Sequence, residues 1–444
     1  MQFEFKTRRD KLIDLIPNKS IIIVRTADQF ERTFDTFYKF RPRSSFYYLT
    51  GIQERDVITV IIKDDSVCKY IIFSKKKTDE NDVWNGVRIG PQAMCLKYNA
   101  DEAYDIDEID HIIPELIKNK KNLYYLYTDE FLHKKIFHWM KPAQMKVRRN
   151  VLAPDKLIHL ESVLQELRLY KSDVEINYLQ KAIDITTDAL IRAMKFLKPN
   201  IYEYEIEAII NHEFIKNNAQ SSFPCMINSG VSGCLSHYKE TNDRQILDNE
   251  LVIIDAGAEY GFYTSDLTRT FPANGKFSES QKTIYELVLS IQDKIIDMIK
   301  PGVSIGDIEK ILPKEITQGL INIGVLTDDI ENHLNNEIYK QFFMHNYGHW
   351  LGLDIHDEAS YGFGDSAWRK FKAGMVITIE PGIYIRNQNY INQKWHGIGV
   401  RIEDNILVTE KSCRVLSSSL PKSVEEIEFL MNQKSSEGLE YETR

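Results

Sequence analysis

Carboxylates set among apolar β-runs constrain this chain more than any other feature. The block "NELVIIDAGAEYGFYTSDLTRTFP" carries Asp255 at the end of one such run and Asp266 at the start of another. Short runs rich in Val, Ile, Thr and aromatic residues read as strands. With Tyr260 and Gly261 as a two-residue turn, Gly261 supplying the positive φ, Asp255 falls directly opposite Asp266 on one face of a hairpin. Like charges opposed in that way repel, and a cation between them removes the conflict. A longer turn would shift the register and leave two ordinary strand-end aspartates.

A second pair lies downstream. "MVITIEPGIYI" puts Glu380 near the end of an apolar strand, just ahead of a Pro-Gly break. "GIGVRIEDNILV" puts Arg401 and Glu403 on one face of the next strand, because side chains two apart point the same way. Glu403 is expected mid-strand among Ile and Val, where an unpartnered carboxylate is costly or shifts its pKa. A metal ion or a salt bridge to Arg401 would compensate it, but the salt bridge leaves Glu380 unexplained.

Between these carboxylates stands "HNYGHWLGLDIHD", with His345, His349 and His356. Their spacing would put all three on one face of a helix. The helical zinc-peptidase motif, however, needs a glutamate directly after its first histidine, and Asn346 stands there. Gly348 and Gly352 would each weaken a helix interior by roughly 1 kcal/mol. The stretch therefore reads as a loop running into a short strand. Alone, it is equally compatible with surface or core histidines. Taken with the carboxylates, two Asp, two Glu and one histidine form an oxygen-rich set. Such a set suits hard or borderline divalent ions, manganese first, with zinc, cobalt or iron as alternatives. More carboxylates than one ion needs point to two ions sharing bridging oxygens.

The rest of the composition fits a metal-dependent globular protein. A length of 444 residues implies two or three domains, and 43% hydrophobic with 27% charged residues is ordinary for a soluble chain. The net charge of -9 argues against nucleic acid as a partner. Cys68, Cys95, Cys225, Cys234 and Cys413 are odd in number, widely spaced and contain no C-x-x-C pair. That suits free thiols in a reducing compartment. The first residues show no signal-peptide core, and no stretch reaches the ~18 apolar residues of a membrane span. A cytoplasmic location without membrane association is the expectation.

Residues 1–165 alternate apolar runs ("SIIIVRTA", "VITVIIKD", "KYIIFSK", "NLYYLYTD") with helical patterns such as "RRDKLIDLIP" and "DEIDHIIPELIKNK", which predicts a compact α/β domain. "SDVE", Ser172 to Glu175, has the capping-box pattern and opens a long amphipathic helix to about Leu197. Residues 166–432 are expected as a second domain, followed by a polar tail, 433–444. Within the second domain "LKPNIYEYEIEAII" and "IKPGVSIGDIEKIL" share a helix, Lys-Pro break, helix pattern. Two similar halves would place a site between them.

These blocks together resemble the aminopeptidase P branch of the pita-bread metallopeptidases. The family's ligand order of Asp, Asp, His, Glu, Glu is matched by Asp255, Asp266, His349, Glu380 and Glu403. The resemblance extends to "FRPRSSFYYLTGIQERDVITVII" and "DVWNGVRIGP" in the N-terminal domain, and covers nearly the whole chain. It implies a mixed α/β fold, with an N-terminal domain followed by two related halves around a curved antiparallel sheet. It implies hydrolysis of the bond between an N-terminal residue and a penultimate proline, by hydroxide from a water bridging two metal ions.

The resemblance also assigns roles. Asp255 holds one ion, His349 and Glu380 the other, and Asp266 and Glu403 bridge them. Glu380 doubles as proton acceptor. His356 and His237 assist at the reacting peptide, His345 and Tyr384 line the pocket, and Arg401 orients the bridging carboxylates. A dimer or tetramer is implied, with Trp84 near a neighbour's site. A prolidase restricted to Xaa-Pro dipeptides is the nearest rival. Methionine aminopeptidases lack so large an N-terminal domain, and creatinase lacks the ligands. A non-catalytic binding protein on the same fold is the alternative of another class.

Overall fold

The computed structural model describes residues 2–65, 67–78, 86–235, 242–364 and 367–433. Trp84, His237 and the tail beyond residue 433 lie outside the described residues. The chain divides into two compact units, 1–167 and 168–444.

The first unit is built on a six-stranded mixed sheet. Its strands are β1 (Ser20–Arg25), β2 (Ile58–Asp64), β3 (Val67–Ser74), β4 (Glu102–Asp105), β5 (Asn122–Tyr125) and β6 (Lys156–His159), in the order β4-β3-β2-β1-β5-β6. The β1–β2 and β2–β3 pairs are antiparallel, and the others parallel. The four strands expected from the sequence are β1, β2, β3 and β5. The two short outer strands, β4 and β6, carry too few apolar residues to signal themselves. "RRDKLIDLIP" lies in α1 (Gln2–Leu15), and "DEIDHIIPELIKNK" supplies α2 (Ile109–Ile117). Ile21, Ile23, Val60, Ile71 and Leu123 from the sheet pack with Ile113 and Ile117 of α2 and with Trp139 in one buried core.

The second unit opens with α3 (Asp173–Phe196), whose N-terminus carries the expected capping box between Ser172 and Glu175. A six-residue connector leads into α4 (Glu203–Lys216). The pattern recurs in α5 (Glu279–Met298) and α6 (Ile305–Asn322). The residue just before each second helix, Tyr202 and Ser304, makes an isolated antiparallel bridge, to Gln245 and Lys370. The sequence repeat is therefore also a repeat of local geometry.

Each half then contributes antiparallel strands. The first supplies β7 (Met226–Ser229), β8 (Leu251–Ala256), β9 (Ala258–Tyr260), β10 (Tyr263–Thr264) and β11 (Leu267–Pro272). The second supplies β12 (Val376–Ile379), β13 (Gly382–Ile385), β14 (Ile398–Arg401), β15 (Asp404–Val408) and β16 (Cys413–Val415). In the second unit the described strands form β7-β8-β11, β12-β15-β16 and β13-β14 sheets, with β9-β10 apart and paired on the β9 side to Gln220–Ser221. Seams of side-chain bonds link the halves: Arg401 N–H donates to Thr270 Oγ1, and Thr270 Oγ1–H donates to the Arg401 carbonyl.

The Asp255/Asp266 register differs from the expectation. The turn is Gly261-Phe262, both at positive φ (+59° and +72°), with Tyr260 opposite Tyr263. Asp255 consequently faces Thr268, not Asp266. A bulky aromatic residue rarely takes a left-handed conformation, so nothing in the sequence marked Phe262 as a turn residue. The slip is two residues, and an even slip keeps every side chain on its face. Asp266 therefore remains Asp255's diagonal neighbour.

Candidate metal centre

Among the described residues, every candidate except Tyr384 lines one cavity of about 960 Å³ in the second unit. Tyr384 lies fully buried behind it, bonded to two of the lining residues. The strand ends explain the convergence. Asp255 sits on β8, Asp266 leads into β11, Glu380 follows the last residue of β12, and Glu403 fills the two-residue break between β14 and β15. Glu403 is thus not mid-strand as expected, and the chain turns at Ile402 to enter a different sheet.

The three-histidine stretch is loop, laid along β12 by the bridge from Trp350 to Ile377 and by backbone hydrogen bonds from Leu351 to Val376, Thr378 to His349 and Glu380 to Tyr347. His349 is the histidine among the carboxylates. Its Nε2 lies 3.3 Å from Asp266 Oδ2 and 3.7 Å from Glu380 Oε1. Its Nδ1 lies 3.1 Å from the Trp350 carbonyl. A carbonyl only accepts, so Nδ1 carries a proton and Nε2 is the nitrogen left facing the acids, the arrangement of a metal-ligating histidine. Asp266, His349 and Glu403 each offer one donor atom within 4.8 Å of the others. His345 Nδ1 is 3.6 Å from Glu380 Oε2 and its Nε2 is 2.7 Å from the Tyr384 hydroxyl. His356 stands edge-on to His349, ring centroids 4.3 Å apart.

The charge balance is uneven. Asp255, Asp266 and Glu403 are 6%, 6% and 2% exposed, and Glu380 sits beside them. One guanidinium serves the group. Arg401 donates to Asp255 Oδ2 at 2.5 Å, to Tyr384 Oη at 3.0 Å and to Thr268 Oγ1 at 3.2 Å. The rival salt bridge, Arg401 to Glu403, is therefore not the one Arg401 makes. Glu403 instead accepts from Thr268 Oγ1 at 2.8 Å. Burial first, then the neighbouring carboxylates, lifts Asp266 and Glu403 well above the usual carboxylate range. Burial pushes Glu380 up to about 7.

Asp255 Oδ1 is fully buried with no hydrogen-bond partner. Buried polar atoms are almost always satisfied. A divalent cation satisfies this oxygen and offsets the surplus negative charge together, so the donor set fits the metal ions the sequence implies. Free thiols play no part in it, although Cys225 lines the cavity.

Sequence reasoning missed the groups that hold the candidate ligands. The Asn405 side chain donates to the Asp266 carbonyl and accepts from its N–H. Thr378 Oγ1 accepts the His349 N–H. Thr268 was legible, since it stands two residues from Asp266 on the same strand face. Asn405 and Thr378 act across sheets and carry no local signal. Phe223, Pro224, Met226, Ile355 and Tyr361 add an apolar wall that no motif marked.

Comparison with known proteins agrees with this geometry. Residues 177–410 match the model of metallopeptidase family M24, and residues 5–125 match the aminopeptidase P N-terminal domain. The chain is 39% identical over 431 residues to the Xaa-Pro aminopeptidase of Haemophilus influenzae, covering 97% of both chains. It is 36% identical to that of Escherichia coli, covering 96% of this chain and 97% of that one. Among solved structures, Pseudomonas aeruginosa aminopeptidase PepP superposes with a TM-score of 0.95 at 37% identity, covering 98% of this chain and 99% of that one. An Escherichia coli aminopeptidase P variant solved in complex with substrate superposes at 0.93 and 34% identity, covering 97% and 98%. Two domain matches in order, full-length likeness and a donor set built for cations lead to one conclusion: the chain belongs to metallopeptidase family M24, in its aminopeptidase P branch.

Proposed function

We propose that the protein is a metal-dependent aminopeptidase that removes the N-terminal residue from peptides with proline in second position. The observation that carries this reading is the surplus of buried carboxylates around His349, one of them with an unpaired oxygen. Asp255, Asp266, His349, Glu380 and Glu403 would hold two divalent ions, and the oxygen-rich set favours manganese over zinc, cobalt or iron. Ions held there supply Lewis acidity, activating water and polarising a peptide carbonyl.

The chain's own groups do the rest. Glu380 takes the proton of the attacking water. Water adds to the carbonyl carbon of the first residue, the C–N bond to the prolyl nitrogen breaks, and that nitrogen leaves with a proton returned through Glu380. His356 or His237 would hold the carbonyl oxygen, a contribution worth ~3 kcal/mol for a well-placed donor. Arg401, itself bonded to the Tyr384 hydroxyl, fixes Asp255, and His345 lines the pocket. The apolar wall of Phe223, Pro224, Met226 and Ile355 suits a proline ring. We read the protein as a cytoplasmic homo-oligomer, dimer or tetramer, with its five cysteines free. Among the described residues, no helix is long and apolar enough to cross a membrane.

The test uses metal-stripped protein with and without manganese. Its substrates are an Xaa-Pro dipeptide, an Xaa-Pro-Xaa tripeptide and an Xaa-Ala-Xaa tripeptide. Manganese-dependent release of the first residue from the Pro tripeptide, with little from the Ala one, is expected. Cleavage of the dipeptide alone reassigns the protein as a prolidase. No cleavage with manganese, zinc or cobalt leaves the binding-protein reading.

A further inference from the structure

The mechanism leaves a buried charged cluster behind the histidine stretch unused. Arg168 and Lys171, just ahead of α3, are 3% and 1% exposed at their side chains, and both meet Asp357, itself 3% exposed. Lys171 Nζ donates to Asp357 Oδ2 at 3.0 Å, and Arg168 Nη2 donates to Asp357 Oδ1. The same Nη2 reaches Asp354 Oδ2 at 2.6 Å. Gly352 makes room for this cluster: a Cβ there would stand 2.2 Å from Asp357 Oδ2 and 3.2 Å from Lys171 Cε. Two cations taken out of water against Asp357 and the part-exposed Asp354 are costly to assemble and seldom pay for themselves in stability.

The position of Asp357 gives the cluster another use. Asp357 directly follows His356 in the chain. Its N–H donates to the Trp350 carbonyl at 2.9 Å. That same carbonyl accepts the His349 Nδ1 proton at 3.1 Å. One oxygen therefore ties the backbone of Asp357 to the ring of the metal-facing histidine. Lys171 also reaches the strand leading to Glu380, because its N–H donates to the Gly374 carbonyl at 2.8 Å, two residues before β12.

We infer that Asp357, clamped by Arg168 and Lys171, is a positioning residue for the reaction. It fixes where His356 stands and, through the Trp350 carbonyl, which nitrogen of His349 faces the carboxylates. The inference rests on the peptidase reading for its kinetic arm only. Groups that orient a metal-ligating histidine typically cost 10–100-fold in metal affinity or activity when removed.

The experiment compares wild type, Asp357→Asn, Lys171→Met and Lys171→Arg, each assayed well below its own unfolding midpoint. Manganese affinity is read by titration of stripped protein, and kcat and KM on the Xaa-Pro-Xaa tripeptide. Asp357→Asn is expected to weaken manganese binding by ~10-fold and to lower kcat by ~10- to 100-fold with little change in KM. Lys171→Met, which leaves Asp357 paired with Arg168, is expected to do the same more weakly, and Lys171→Arg to restore most of the loss. Folded variants with wild-type manganese affinity and kcat would overturn the inference and leave the cluster purely structural. If wild type cleaves no Xaa-Pro peptide, the peptidase reading fails, and the affinity arm still decides the inference.

Discussion

Glu403 and Asp404 are neighbours in the chain, both fully buried, and they live in opposite electrostatic settings. Asp404 meets Arg269 at 2.7 Å, Ser417 Oγ at 2.6 Å and Lys422 at 3.6 Å. Against the desolvation that alone would raise it, Arg269 and then Lys422 hold the Asp404 carboxyl below its usual range. Glu403 has Thr268 and a ring of other acids, and its carboxyl is driven the other way. One residue is matched by two cations, Arg269 and Lys422, although its Oδ2 accepts no hydrogen bond; the other faces a group of acids that a cation completes. Burial of a charge is thus no guide to its purpose until its partners are counted.

Amide substitutions at the two positions should separate these settings most strongly. Asp404→Asn leaves Arg269 buried and unpaired, and is expected to cost ~3–5 kcal/mol of stability in a urea melt. Glu403→Gln removes one repelling carboxylate. In the metal-free protein at pH 8 it should leave stability unchanged or raised, while weakening manganese binding. Equal destabilisation by the two changes would erase the distinction.

The next effect is in pH. Burial raises Asp266, Glu380 and Glu403 above their unfolded values, so the folded, metal-free protein holds those protons more tightly. Their stabilising contribution is complete below about pH 4 and is lost as pH rises through about 7 for Glu380 and through the raised values of Asp266 and Glu403. Asp404 has the opposite sign: its contribution stands above its unfolded value and disappears on acidification. The stability gap between manganese-loaded and stripped protein should therefore widen from pH 5 to pH 8. A constant gap would mean that the acids of the cluster are not repelling one another.

The smallest contrast lies one shell out. Ser417→Ala removes a donor to Asp404 and should cost ~1–2 kcal/mol of stability with manganese affinity intact. Thr268→Val removes the donor to Glu403 and should instead weaken manganese binding by ~10-fold. A change in affinity from Ser417→Ala would show that the two environments are not separate.

The ligands were more legible in the sequence than the geometry between them. A carboxylate among Ile and Val is conspicuous, which is why Asp255, Glu380 and Glu403 stood out without coordinates, whereas Asp266, among Thr and Ser, was named from its place across the hairpin from Asp255. The register of Asp255 against Asp266 was misread because Phe262 takes a backbone conformation that aromatic residues seldom adopt. The error did no harm to the site, since a two-residue slip preserves the face. Arg401 was placed near the right acids, as the group orienting Asp266 and Glu403, whereas its partner, Asp255, lies across the sheets. Contacts of that range, like those of Asn405 and Lys171, leave no local periodicity to read. In the first unit, β1 and β2 announced themselves by β-branched runs, while β4 and β6 did not.

The seam between the halves has a consequence for synthesis. Arg401 and Asp255, which meet at the centre of the site, are 146 residues apart in sequence. The chain emerges from the ribosome in order, so the first two acids are made long before the last glutamate exists to join them. A partly made chain carries half a donor set and no working site. The enzyme is therefore silent until its last strands are in place, and a nascent chain cannot cut the peptides around it.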